Sequence, residues 1–412
     1  FLISSPKTLE MSSSLALRHV RHLSTAAAAA TTTTTTTPAI SISKAKAKLR
    51  SEYDPDKALE IYSSVSNHYT SPISSRYAQE FTIKRLAKSR RFADIEALIE
   101  SHKNDPKITQ EPYLSTLIRS YGLAGMFDHA VKTYNQMEEL GTPRSTLSFN
   151  ALLSACNQSK LFDQVPQLFE EIPQKFGFSA DKVSYGVLVK SYCESGKPGL
   201  AISTLKEMEE KGIEITAITY TTILHTLYKS GESEEAEKIW NEMVNKGCSP
   251  DVAAYNVRIM HAHDGEPENV KGLIEEMSKG GIKADTITYN YLMTCYCKSG
   301  MMNEAKKVYE GLEGNGCHPN AATFRTLIYY LCKSEEFEKG YKVFKESVKF
   351  HKFPDFGTLK YLVEGLVKKS KMKEAKGLIR TMKKKFPANL LNAWKKLEEE
   401  LGLAAETQKA TT

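Results

Sequence analysis

Apolar residues recur at helical spacing over most of the chain, and the recurrence itself repeats. Tyr220, Ile223, Leu224 and Leu227 fall at i, i+3, i+4 and i+7, one face of an amphipathic helix. Gly231 interrupts that face, and a second amphipathic stretch follows with Ala236 and Met243 on its apolar side. Gly247 and Pro250 close the unit. The same frame returns in residues 288–320, TYNYLMTCYCKSGMMNEAKKVYEGLEGNGCHPN. Starts are found at Arg76, Glu111, Thr146, Lys182, Ala217, Val252, Thr286, Ala321 and Phe356, separated by 35, 35, 36, 35, 35, 34, 35 and 35 residues. A period this regular marks an array of stacked units.

Each unit reads as two helices. The first ends near a glycine at the fifteenth position (Gly125, Gly196, Gly231, Gly300), where a left-handed residue makes the turn. The second carries a small residue at position twenty and a methionine near position twenty-seven, as in Ala201 and Met208. One such pair cannot bury its apolar face alone, whereas nine stacked pairs make a continuous core. The expected fold is all-α: a right-handed α-solenoid, or superhelix, of about nine helix-turn-helix repeats of 35 residues. The expected organisation is a leader over 1–50, degenerate capping helices over 51–75 and nine repeats over 76–390. A capping helix and tail occupy 391–412. The stretch DPDKALEIYSSV reads as an extra, degenerate second helix at the front.

Charge changes this picture at both ends. The formal net charge of +7 over 412 residues is unevenly spread. Residues 1–50 hold seven basic residues and one acidic residue, whereas 51–332 hold 30 basic and 37 acidic ones. Residues 333–396 then hold 18 basic and seven acidic ones, so one end of an acidic body is suited to a polyanion. Between Met11 and Ser51 there is no Asp or Glu, and Arg18, Arg21 and a run of alanines and threonines fill the stretch. That is the composition of an organellar transit peptide beginning at Met11. The mitochondrial matrix is the expected address, and the chloroplast is the competing one.

Candidate chemistry is sparse. No apolar run approaches the ~20 residues of a membrane-spanning helix. The seven cysteines include no CxxC pair, which argues against a disulfide framework or zinc ribbon. His261, His263, Cys295 and Cys297 invite a metal reading. Residues two apart on a helix point in divergent directions, however, so core packing is the better account. The acids Glu207, Glu209 and Glu210, and Glu234, Glu235 and Glu237, read as solvated helix faces. Tyr185, Tyr220, Tyr255 and Tyr289, at position four, read as packing residues. No catalytic, cofactor-binding or metal site is expected, nor a small-molecule substrate.

The opening T-Y-N-x-L-[IM], the Y-C-x-S-G turn, the E-A of the second helix and the closing G-x-x-P-[DN] occur in order within the repeats. In these features residues 76–390 resemble the P class of the pentatricopeptide repeat family. The W-x₂-L-G-x₂-Y pattern of tetratricopeptide repeats is absent. The resemblance implies binding of single-stranded RNA at one base per repeat, read by the fifth and last residues. A small aliphatic at position two, such as Leu147, Ile218, Ala253 or Ile287, would pack on base faces. Carried over by position, Asn150 with Asp181 and Asn256 with Asp285 resemble uracil readers. Thr221 with Asp251 resembles a guanine reader, and Asn290 with Asn320 a pyrimidine reader. The pairs Glu80/Gln110, Ser115/Ser145, Gly186/Thr216, Arg325/Asp355 and Lys360/Leu390 fit no such pattern.

Four readable pairs are too few to select one transcript. The chain is similar in length and degeneracy to short P-class members that are integral components of the plant mitochondrial ribosome. The resemblance therefore implies a non-catalytic RNA-associated structural subunit, of the small subunit, with rRNA and ribosomal proteins as partners. The alternative is a free organellar factor acting on one mRNA. Lys368, Lys369, Lys371, Lys373, Lys383, Lys384 and Lys385 form the candidate rRNA-docking end, a sequence-independent phosphate contact.

Overall fold

The computed structural model describes residues 39–69, 71–262, 265–386 and 391–403, with the side chain of Pro72 left aside. The leader expected over 1–50 lies outside the described residues as far as residue 38, as do His263 and Leu390. Among the described residues the secondary structure is helical, apart from one parallel bridge between Ile40 and Val65. The chain divides into two compact units at Pro143–Arg144.

The first unit holds three helix pairs: α1 (Ile42–Ser51) with α2 (Pro55–Ser63), α3 (Pro72–Lys88) with α4 (Phe92–His102), and α5 (Glu111–Leu123) with α6 (Phe127–Asn135). Two expectations are corrected here. The leader does not extend to residue 50, because α1 is capped by Ser41 and buries Ile42, Ala45 and Leu49. The degenerate capping helices expected over 51–75 are instead a complete pair, α1–α2, that begins at Ile42. Ala58, Tyr62 and Val65 close a small core with α1 and Ala78. The lysines between these apolar positions made α1 look like part of a basic leader.

The second unit holds seven pairs and a closing helix. The pairs are α7 (Thr146–Gln158) with α8 (Val165–Phe176), α9 (Lys182–Glu194) with α10 (Pro198–Glu210), and α11 (Ala217–Lys229) with α12 (Ser233–Asn245). They continue with α13 (Val252–Ala262) and α14 (Pro267–Lys279), α15 (Thr286–Lys298) and α16 (Met302–Gly311), and α17 (Ala321–Lys333) and α18 (Phe337–Lys349). The last pair is α19 (Phe356–Lys368) and α20 (Met372–Lys385), closed by α21 (Asn392–Glu400). Within each unit, first helices pack on the first helices of the neighbouring repeats as well as on their own partners, which is the layering of an α-solenoid. Trp394 and Leu397 of α21 join the core of the final repeats, and Trp394 meets Phe356 edge-on at 4.9 Å between ring centroids.

In eight of the repeats the turn between the two helices holds a left-handed residue, whatever its type. Gly125, Gly196, Gly231 and Gly300 take it with φ between 70° and 79°. Arg90, Lys160, Glu335 and Ser370 hold the same position with φ between 56° and 62°. The one 34-residue spacing has a physical origin. In that repeat α14 begins at Pro267, 15 residues after Val252, whereas α12 and α16 begin 16 residues after the starts of their own repeats at Ala217 and Thr286.

Candidate nucleic-acid interface

The expected base-reading residues gather at the N-termini of the first helices, and local backbone chemistry explains them first. The last residue of a repeat is the N-cap of the next repeat's first helix. Asp181 caps α9, its Oδ1 accepting the N–H groups of Val183 at 3.0 Å and Ser184 at 2.9 Å. Asp285 caps α15 through Ile287 (2.9 Å) and Thr288 (3.0 Å). Asn320 caps α17 through Ala322 (2.9 Å) and Thr323 (3.1 Å). In each, the Ser or Thr hydroxyl accepts the cap residue's own N–H, at 3.2, 3.1 and 3.0 Å respectively. This is a capping box with a hydroxyl in the place of the usual Glu.

The fifth residue of the preceding repeat enters the same cluster. Nδ2 of Asn150 donates to Asp181 Oδ1 at 3.0 Å, Asn256 to Asp285 at 3.1 Å, and Asn290 to Asn320 at 3.1 Å. The other end of each amide is held by a hydroxyl. Ser184 donates to Asn150 Oδ1 at 2.6 Å, and Thr288 and Thr323 donate to Asn256 and Asn290 at 2.7 Å. A carboxylate oxygen can only accept, which fixes the amide's NH₂ end toward Asp181 and Asp285. Asn320 Oδ1 already accepts two backbone N–H groups, which fixes Asn290 in the same way. These asparagines are 4%, 8% and 7% exposed. Two of the four hydrogen-bonding positions of each amide are taken, leaving one N–H and one lone pair for a base edge. Burial alone would raise the Asp181 pKa. The bonds from Ser184, Asn150 and Val183 outweigh it and hold the carboxyl below its ordinary value.

Thr221 and Asp251 are not joined in this way. Asp251 Oδ1 accepts the Ala254 N–H at 2.9 Å, but Ala254 stands where the other three clusters have a hydroxyl. The Thr221 Oγ1 is buried without a hydrogen-bond partner among the described residues. Beside the readers, the position-two residues Leu147, Val183, Ile218 and Ile287 are exposed, Ile218 by 73%. They leave a row of uncovered apolar side chains at the mouth of these clusters.

The docking lysines divide. Lys383 is bound by Glu398 of α21 at 2.7 Å, Lys368 and Lys369 both reach Glu335, and Lys371 reaches Glu338 at 2.6 Å. Lys373, Lys384 and Lys385 are exposed and have no ion pair among the described residues. Three of the four position-four tyrosines named above are braces: Tyr185 donates to Glu207 (2.8 Å), Tyr220 to Glu242 (3.4 Å) and Tyr255 to Glu276 (3.2 Å). Glu207, read from the sequence as a solvated acid, is thus a structural acceptor. Cys295 donates to the Gly265 carbonyl at 3.2 Å, and burial pushes the Cys297 thiol up to about 12, so both are packing residues.

Models of the PPR repeat family match residues 180–229, 216–260 and 284–333, and those of the PPR repeat match 114–142, 147–175, 322–351 and 358–385. The chain belongs to the pentatricopeptide repeat family. A relative from Arabidopsis thaliana, "Small ribosomal subunit protein mL103 (rPPR7)", is 64% identical over 397 residues, 96% of each chain. A second from the same plant, "Pentatricopeptide repeat-containing protein At2g18520, mitochondrial", is 59% identical over 97% of this chain and 95% of its own. A third, "Small ribosomal subunit protein mS79 (rPPR3b)", is 36% identical over 33% of this chain and 34% of its own. Within the family's frame, the three closed Asn clusters are the best-formed repeats, and the Thr221 repeat is the open one.

Proposed function

We propose that the chain is a non-catalytic structural component of the small subunit of the plant mitochondrial ribosome, held in the matrix by rRNA and ribosomal proteins. The observation that carries the reading is 64% identity over 96% of both chains with an Arabidopsis small-ribosomal-subunit protein. The clusters at Asn150/Asp181, Asn256/Asp285 and Asn290/Asn320 hold unpaired rRNA bases, with Thr221/Asp251 contributing least. Lys384 and Lys385 contact phosphate, whereas Lys383 serves the fold. Three interrupted readers suit an RNA whose position is fixed by a larger assembly, since each base contributes only about 1–3 kcal/mol of discrimination.

A sucrose gradient of solubilised mitochondria tests this. The protein comigrates with the small subunit in near-stoichiometric amount. Recovery as a free species at the top of the gradient overturns the reading. The exposed apolar row beside three preset amides favours a second reading, a free factor for one transcript. In that case Asn256→Ala with Asp285→Ala weakens binding to one short RNA and disturbs a single transcript.

A further inference from the structure

The charge of the second helices changes along the second unit while their packing role does not. α10 holds three acidic residues and one basic residue, and α12 holds four and one. In α18 the balance turns to two acidic and four basic residues, and in α20 to one and six. On α12 Lys238 pairs along the helix with Glu235 at 2.9 Å, and Lys246, at its C-cap, pairs with Glu242 at 2.8 Å. On α18 and α20 only Lys339, with Glu336, and Lys383, with Glu398, remain paired. Lys342, Lys345 and Lys349 are exposed at i, i+3 and i+7, and Lys376, Arg380 and Lys384 at i, i+4 and i+8. None of the six has an ion pair among the described residues.

Both triads follow single helix faces. The two helices are also neighbours: a Cβ on Gly377 would lie 3.0 Å from the Tyr341 hydroxyl. Lys342 and Lys376 therefore flank one interhelical contact, and the two rows run from it over about 10–12 Å at 1.5 Å per residue. Like charges so placed repel one another, and among the described residues no carboxylate forms an ion pair with any of the six, although Glu338 lies close enough to Lys342 to feel its charge. The lysines expected from the sequence to dock RNA are largely spent on Glu335, Glu338 and Glu398. The unspent charge lies here.

We propose that the second-helix face of the last two repeats, through Lys342, Lys345, Lys349, Lys376, Arg380 and Lys384, binds the phosphate backbone of double-stranded RNA. The face is separate from the base-reading clusters, which lie at first-helix N-termini. It offers cations without amide readers, which suits duplex RNA recognised by backbone and shape. The proposal rests on the ribosomal reading, in which folded rRNA is at hand.

The test uses the full chain and a 20-base-pair RNA duplex of arbitrary sequence, with anisotropy followed from 50 to 200 mM KCl. The variant K342E/K345E/K376E/R380E is compared with wild type and with N256A/N290A, and helical circular dichroism checks folding. At ~0.9 per phosphate contact, losing four contacts lowers the logarithmic salt slope by about 3.6. The wild-type affinity then falls about 150-fold more across that range than the variant's. N256A/N290A leaves the duplex curve in place. An unchanged slope in the charge-reversed variant overturns the proposal. So does equal competition by polyglutamate at matched charge, which would make the face a protein-docking surface. In the gradient, loss of the wild-type chain from ribosomes defeats the functional reading. A charge-reversed chain that stays bound as wild type does defeats this inference alone.

Discussion

Thr288→Val isolates the hydroxyl that holds a base-reading amide. The change conserves shape, and helix propensity differs little between the two residues. It removes the donor 2.7 Å from Asn256 Oδ1 and the acceptor 3.1 Å from the Asp285 N–H. Each buried group left unsatisfied costs about 1–3 kcal/mol. Asn256 is 8% exposed, so water can reach part of the cluster and the lower end applies to it. The net cost is about 2 kcal/mol. At 1.4 kcal/mol per factor of ten, exchange of the Asp285 amide by local opening becomes roughly 30-fold faster. Amide hydrogen exchange reads this directly, and urea unfolding reads the global part. Thr288→Ser restores protection, because Ser184 makes the same contacts around Asn150. The complementary change is Ala254→Ser, which offers a partner to the buried Thr221 hydroxyl and adds up to about 1 kcal/mol. Unchanged Asp285 exchange in a folded Thr288→Val protein refutes the reasoning, since the hydroxyl would then hold nothing.

Three further outcomes follow from backbone and burial. A Cβ on Gly365 would sit 1.9 Å from the Phe337 ring, so Gly365→Ala destabilises the chain despite a propensity gain of about 1 kcal/mol. Gly272→Ala, with open space around its Cβ, stabilises by about that gain, and urea midpoints should move in opposite directions. Ser370, left-handed at φ 59°, should tolerate Ser370→Gly with a gain of up to about 1 kcal/mol by thermal melting. In the first unit His102 bridges the hydroxyls of Tyr62 (2.9 Å) and Tyr69 (2.6 Å), and burial, aided by His68, lowers its pKa from 6.5 to about 4. The unfolded chain then binds a proton first, so stability is whole above pH 6.5 and falls by roughly 3 kcal/mol as the pH drops toward 4. His102→Gln removes that part of the stability–pH curve.

The repeat register was legible because it is a spacing, and spacing survives any exchange of similar side chains. The turn was only half legible. Four glycines marked the fifteenth position, but Arg90, Lys160, Glu335 and Ser370 adopt the same left-handed backbone, so the fold imposes it and glycine merely suits it. The tyrosine braces left a trace that could have been followed. Tyr185 and Tyr220 stand 22 residues before Glu207 and Glu242, and Tyr255 stands 21 before Glu276, in the shortened repeat. Lys368 and Lys371 each find a glutamate 33 residues earlier, one repeat back. A linear charge count cannot see a partner at that distance.

The reader positions show why residue identity alone is a weak guide to base recognition in such an array. Asp181 and Asp285 would be favoured as N-caps even if no RNA were ever bound, since each already satisfies two backbone N–H groups. Asp355 makes the point by itself: it caps α19 through Thr358 at 3.0 Å, yet the fifth residue of the repeat it closes is Arg325, which fits no base-reading pair. Capping therefore accounts for the last residue of a repeat, and information beyond capping resides in the fifth. There the separation is physical. Asn150, Asn256 and Asn290 have both ends of the amide fixed, and Thr221 has neither a bonded cap nor a hydroxyl neighbour. If these clusters read bases, losing the hydroxyl should reduce single-strand affinity at Asn256 and leave it unchanged at Thr221. If they only close the fold, Thr288→Val should change stability without changing RNA affinity once folding is complete. Anisotropy with a short uridine-rich strand, well below the melting temperature of the variant, separates the two roles.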